Sequence, residues 1–248
     1  MPKVTFLGTA SAIPDANHQN AHIVIKGGNR VVLVDCPGNP FVRLHQAKIN
    51  PLSITDLILT HFHPDHVTGF PLLLMDLWLI KRKAPLMIYG LPGVLEKCKQ
   101  MMGLYDWDEW NDFFPVTFVE CPNIEGSLLF ASEEIKVWAS PAEHLIPSIS
   151  LKASFVEGSI CYSGDTAPSN AVVNLAKGCD ILIHEATGNE NGHSSPGDAG
   201  KIAQTAGVKR LFLIHYPFDR NPKVLLQEAK ANFSGTVVVA EDLMVVEI

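Results

Sequence analysis

The chain has 248 residues, 47% of them hydrophobic and 18% charged, enough to bury a large core without disulfides and too apolar for disorder to dominate. Nineteen Lys and Arg against 26 Asp and Glu leave a formal charge of -7, so no overall positive field draws in nucleic acid. The most apolar stretch, Phe70 to Ile80, is interrupted by Asp76 and falls short of the roughly 20 residues that a bilayer-spanning helix needs.

The first third reads as short strands: Lys3 to Leu7, Ala21 to Lys26 and Val31 to Asp35, the last two joined by the turn signal Gly27-Gly28-Asn29. Leu57 to Thr60 is an apolar strand that ends at a histidine cluster, and helical patterns follow over Leu72 to Lys83 and Val94 to Met102. Strands are then expected over Val116 to Glu120, Glu134 to Ala139, Ser148 to Val156 and Ser159 to Ser163. Beyond them strand and helix alternate: Ile181 to Ile183, a helix from Pro196 to Ala206, Leu211 to Ile214, a helix from Pro222 to Asn232, and Val237 to Ala240. Ser195-Pro196 and Asn221-Pro222 each set a capping side chain before a proline of the first helical turn. No repeat or linker divides the chain, so one domain over residues 1–248 is expected. Its two mixed sheets, flanked by helices, form a four-layer αββα sandwich.

The sharpest motif is THFHPDHVTG, which sets His61, His63, Asp65 and His66 within six residues directly after an apolar strand. In an extended loop His61 and His63 project to one side and can hold one ion, while Asp65 and His66 reach round to a neighbour. His144, Asp165 and His215 each stand alone at the end of an expected strand or loop. A buried His215 after Leu211-Phe212-Leu213-Ile214 needs a partner, and a metal supplies one. The five cysteines, Cys36, Cys98, Cys121, Cys161 and Cys179, are scattered without a CxxC pair. That pattern fits a reduced, cytoplasmic setting and not a cysteine metal site; the amino-terminal run is too poor in apolar residues for a signal peptide.

These motifs resemble those of the metallo-β-lactamase superfamily, over nearly the whole chain. The resemblance implies that His61, His63 and His144 hold one metal, that Asp65, His66 and His215 hold a second, and that Asp165 bridges them. It implies zinc, although the mixed imidazole and carboxylate set also suits manganese or iron. Asp35 matches the strand-end aspartate that orients a ligand in the superfamily, or is an ordinary turn residue. Aspartate at 165 separates the chain from the antibiotic-hydrolysing members, which commonly carry cysteine there, and His63 separates it from the diiron flavoproteins. FLGTASAIP, the segment GFPLLLMDLWLIKRKAPLMIYG, the HEAT run His184 to Thr187, His193-Ser194 and LFLIHYP resemble the ribonuclease Z branch.

Three features depart from that branch: DCPGNP stands for DCGEGT, His193-Ser194-Ser195 for HST, and only 21 positions separate His144 from Asp165. The last leaves no room for the long arm that grips transfer RNA. The expectation is a dinuclear phosphodiesterase on a small-molecule or nucleic-acid substrate, with a metal-bridging hydroxide as nucleophile. Asp65, His193 and Glu185 make up the expected catalytic set, His193 as general acid and Glu185 as the partner that raises its pKa. His184 is expected to orient a ligand loop, and His18, His22 and His45 carry no such context. Tyr105 to Pro115, rich in aromatics and acids, reads as a packed satellite helix, or else as a lid over the metals or a dimer contact. A homodimer is common among similar proteins. Thioester or lactone hydrolysis by the same metals is the rival enzyme class, and metal binding without turnover the rival outside enzymes.

Overall fold

The computed structural model describes residues 1–248. One sheet is built from β1 (Lys3–Gly8), β2 (His22–Gly27), β3 (Arg30–Val34), β4 (Asp56–Ile58), β5 (Leu86–Gly90) and β6 (Val116–Glu120), with β14 (Val245–Glu247) beside β1. The other runs β13 (Thr236–Val239), β12 (Arg210–Ile214), β11 (Ile181–Glu185), β10 (Ser159–Tyr162), β9 (Ser148–Ser154), β8 (Lys136–Ala142) and β7 (Ser127–Ala131). Each sheet joins an antiparallel half to a parallel half. Strands β14, β1, β2 and β3 are antiparallel neighbours, and β3 to β6 pair in parallel. Likewise β7 to β10 are antiparallel and β10 to β13 parallel.

The parallel halves need crossovers, and the helices supply them. These are α1 (Pro40–Gln46), α2 (Pro64–Val67), α3 (Phe70–Leu79) and α4 (Pro92–Gly103) for the first sheet, and α5 (Asn170–Ala176), α6 (Pro196–Ala206) and α7 (Pro222–Lys230) for the second. The main core lies between the sheets and under α3 and α4, where Phe6, Ile23, Leu33, Leu57, Leu151, Ile183 and Phe212 are buried. A second core, with Leu182, Ile202, Leu211 and Leu225, fills the space beneath α5 to α7. This is the expected αββα sandwich. No helix is long and apolar enough to cross a membrane.

The structure adds α1, α2, α5, β5, β7 and β14 to the elements read from the sequence and shifts several ends. Lys81, at φ 63°, ends the α3 turn before Lys83. Tyr105–Pro115 is not a helix: Asp106 and Asp112 take left-handed φ values of 49° and 58°, and only one 3-10 turn, Trp107–Glu109, forms. Its tryptophans and phenylalanines nonetheless pack against the core. Trp110 stacks on Trp78 at 5.0 Å, and Trp107 meets Phe113 and Phe118 edge-on.

Candidate metal centre

The fold brings chain-distant loops to one edge of the sandwich. His61, His63, Asp65 and His66 follow β4, Glu185 ends β11 and His215 follows β12, all at the carboxyl ends of parallel strands where such sheets place functional groups. His144 follows β8, and Asp165 follows β10. Gly69 lets the histidine loop close on the loop after β3: a Cβ there would lie 2.6 Å from the Pro40 ring and 2.8 Å from the Cys36 carbonyl. Gly164, at φ 58°, makes the turn into Asp165.

All seven residues expected around the metals converge. His61 Nε2 and His144 Nε2 lie 3.0 and 3.1 Å from His63 Nδ1. Asp65 Oδ2 lies 3.4 Å from His215 Nε2 and 3.5 Å from His66 Nε2. Between the two groups sits Asp165, whose Oδ2 is 3.4 Å from both His66 Nε2 and His215 Nε2, 3.8 Å from His61 Nε2 and 4.0 Å from His144 Nε2.

The outward hydrogen bonds assign the imidazole protons. His66 Nδ1 donates to Asp35 at 2.9 Å, His144 Nδ1 to the Gly192 carbonyl at 2.8 Å, and His215 Nδ1 to Thr187 Oγ1 at 2.8 Å. The Thr187 hydroxyl hydrogen is already given to the His215 carbonyl. His61 Nδ1 donates to Thr60 Oγ1 at 3.0 Å, and that hydroxyl donates to Asp35. Four imidazoles therefore aim bare Nε2 lone pairs at the centre, and His63 can bridge only one of its two neighbours with a proton. His66 Nε2 and Asp165 Oδ1 are buried without a hydrogen-bond partner. Such a donor set calls for cations. The imidazole separations also match the edge of about 3.3 Å of a tetrahedron with ligands near 2.0 Å from zinc.

Ionisation follows the same contacts. Burial pushes His61 well below its usual pKa, and burial with His144 lowers His63, so both favour the neutral form that ligates. Burial opposes ionisation of Asp165, but His215 and His66 outweigh it and hold the carboxyl well below its usual range. The expected catalytic pair is also assembled: His193 Nδ1 lies 2.7 Å from Glu185 Oε1 and 4.0 Å from Asp165 Oδ2. Burial would lower His193, yet the Glu185 hydrogen bond raises it. Glu185 is held in place by the backbone amides of Thr166 and Thr187 at 2.9 and 3.1 Å.

Asp35 is the orienting residue rather than an ordinary turn aspartate; it is fully buried, takes φ 62° and also accepts the Thr60 amide at 2.8 Å. Two of the three departures serve helix caps: Asn39 of DCPGNP caps α1, and Ser195 caps α6. His184 does not orient a candidate ligand. Its Nδ1 donates to the Glu185 carbonyl at 2.8 Å and it makes no hydrogen bond to any of the seven residues. Residues 105–115 are no lid: the cleft over the donors, of about 830 Å³, is lined instead by Ser11 to Ile13, Leu145, residues 187–191 and 217–219. Sequence reasoning missed these walls and the roles of Thr60, Gly192 and Thr187; Thr60 and Thr187 stand inside motifs that give them no role, and Gly192 only precedes one.

Among solved structures, the chain is similar to the metallo-β-lactamase fold protein YhfI from Bacillus subtilis, with TM-score 0.84, 22% identity and coverage of 100% and 99% of the two chains. It is also similar to the short form of human tRNase Z, with TM-score 0.83, 29% identity and 99% of each chain covered. Fold, donor set and relatives together define a metal-dependent hydrolase of the metallo-β-lactamase superfamily, a phosphodiesterase of its ribonuclease Z-like branch. Ribonuclease Z of Methanothermobacter thermautotrophicus is 30% identical, with 100% of this chain and 97% of that protein covered, and that of Picrophilus torridus 29% identical, with 97% and 94% covered. The chain belongs to the family described as Anti-Pycsar protein Apyc1, whose model matches residues 2–237.

Proposed function

We propose that residues 1–248 form one hydrolase domain that cleaves compact phosphodiesters with two divalent metal ions. His61, His63 and His144 would hold one ion, Asp65, His66 and His215 the other, and Asp165 would bridge them. The observation that carries this reading is the convergence of bare imidazole lone pairs and two carboxylates on the floor of a cleft lined by no Lys or Arg. Bound ions would offset phosphate charge and lower the pKa of water, and zinc suits the nitrogen-rich half of the donor set. His193 faces the same floor with its Nδ1 proton tied to Glu185, so the other ring nitrogen is free to deliver a proton to the leaving oxygen.

Compactness of the substrate rests on the walls. Asp219 and Glu190 line the cleft with the catalytic carboxylates, which disfavours a polyanion such as folded RNA. The span between His144 and Asp165 is used up by β9, β10 and their turn, leaving no protruding arm. The alignment to the M. thermautotrophicus ribonuclease Z runs over 307 positions against the 248 residues here, so that relative carries segments without a counterpart. Five free, buried cysteines suit a reducing cytoplasm.

The test is a panel of bis(p-nitrophenyl) phosphate, mononucleotide-sized diesters, a thioester and a transfer RNA precursor, assayed with zinc and with manganese. Turnover of the small diesters, abolished by His63→Ala or Asp165→Ala, is expected. Faster turnover of the thioester, or full activity after either substitution, overturns the reading.

A further inference from the structure

Three large apolar side chains, Ile13, Leu145 and Phe218, are 64%, 65% and 49% exposed. Single exposed apolar residues are ordinary on any surface, but these come from three separate segments and line one cleft, together with His63, Asp65, Asp165, His193 and His215. Leu145 directly follows His144, and Phe218 lies three residues after His215, so the loops that place the donors also place these two side chains. Ile13 comes from a third segment, between Thr9 and Asn20.

That segment is strapped down at both ends. The Ala10 amide donates to the Gln19 carbonyl at 2.8 Å, and the Ser11 amide donates to the Tyr216 carbonyl at 3.1 Å. Asp242 gathers the rest: it accepts Thr9 Oγ1 at 2.7 Å, the Gln19 amide at 2.9 Å and Arg43 Nη2 at 2.7 Å. Arg43 in turn donates Nε to the Leu7 carbonyl at 2.7 Å. Held at its two ends, the strap keeps Ile13 on the rim that Phe218 also lines. Resting on the phosphodiesterase reading above, we propose that Ile13, Leu145 and Phe218 select diesters whose non-leaving group is a bulky apolar or planar aromatic one, and that Asp242 acts as the positioning residue of this wall.

The test holds the leaving group constant. p-Nitrophenyl phosphate diesters carrying methyl or 1-naphthyl as the second ester group are compared by kcat/KM in the metal-loaded protein. A naphthyl-to-methyl ratio of about tenfold or more is expected, the scale at which an apolar wall discriminates. Phe218→Ser and Ile13→Ser should each cut that ratio several-fold, mainly through KM for the naphthyl ester. Phe218→Tyr should keep it, and Asp242→Asn should lower it through KM for the naphthyl ester. If Asp242→Asn loosens the whole fold, the half-exposed Phe218 and Ile13 still decide the question. A ratio near one in the unaltered protein, or a ratio unmoved by both serine variants, overturns the proposal. Failure to cleave any diester overturns the reading beneath it, whereas cleavage indifferent to the second ester group overturns the wall alone.

Discussion

Asp35 stands 31 residues before His66, yet its Oδ2 lies 2.9 Å from His66 Nδ1 while its Oδ1 accepts the amide of Thr60 at 2.8 Å. One buried carboxylate thus clamps both ends of the histidine loop, and it does so from a left-handed backbone at φ 62°. Asparagine tolerates that conformation but cannot accept from all three donors with both of its side-chain atoms. Asp35→Asn should therefore fold and lose about 10- to 100-fold in zinc affinity, read by competition with a chromophoric chelator.

The hydrogen bond between His193 and Glu185 carries a kinetic prediction. A general acid matters in proportion to the basicity of the leaving oxygen. His193→Gln should slow cleavage of diesters with alkoxide leaving groups by about 100-fold or more and leave p-nitrophenolate departure far less affected. Glu185→Gln should show the same pattern in weaker form. An equal loss on both ester types in a leaving-group series would assign His193 to substrate binding instead.

The histidine loop was legible because it crowds four ligand-type side chains directly after an apolar strand, whereas His144, Asp165 and His215, which stand singly, and the HEAT and His193 motifs were legible through the resemblance to a known family. The sandwich was legible from its apolar runs and from the capping residues followed by proline that mark α6 and α7. Short elements were not. The signal that revealed α6 also stands at Asn39-Pro40, but α1 is only seven residues long. Strand β7 is a half-exposed edge with little apolar alternation. Tyr105–Pro115 looks helical by composition, and the left-handed turns at Asp106 and Asp112 arise because tertiary packing of Trp107, Trp110 and Phe113 overrides local preference. The apolar wall at Ile13, Leu145 and Phe218 follows from loop packing that no spacing in the chain encodes.

His22 sets a pH dependence of stability away from the chemistry. It is fully buried on β2, with Nδ1 donating to the Asn20 carbonyl at 2.8 Å and Nε2 unpartnered. Burial, more than the nearby Arg43, pushes its pKa down to about 4. The unfolded chain binds this proton below about pH 6.5 and the folded chain only near pH 4, so the stability held above pH 6.5 falls as the pH drops through that window, by up to about 3 kcal/mol. Urea unfolding at a series of pH values should show His22→Leu with a shallower decline between pH 6.5 and 4 than the unaltered protein. Parallel declines would assign the acid sensitivity elsewhere.

Everything chemical here depends on the convergent lone pairs of His61, His66, His144 and His215 being met by cations. Elemental analysis of protein purified without chelators, combined with its melting temperature before and after EDTA, tests this most directly. About two divalent transition-metal ions per chain are expected, with a fall in melting temperature of at least about 5 °C on their removal and recovery on adding zinc or manganese. Metal-free protein whose melting temperature responds to neither chelator nor metal would contradict it.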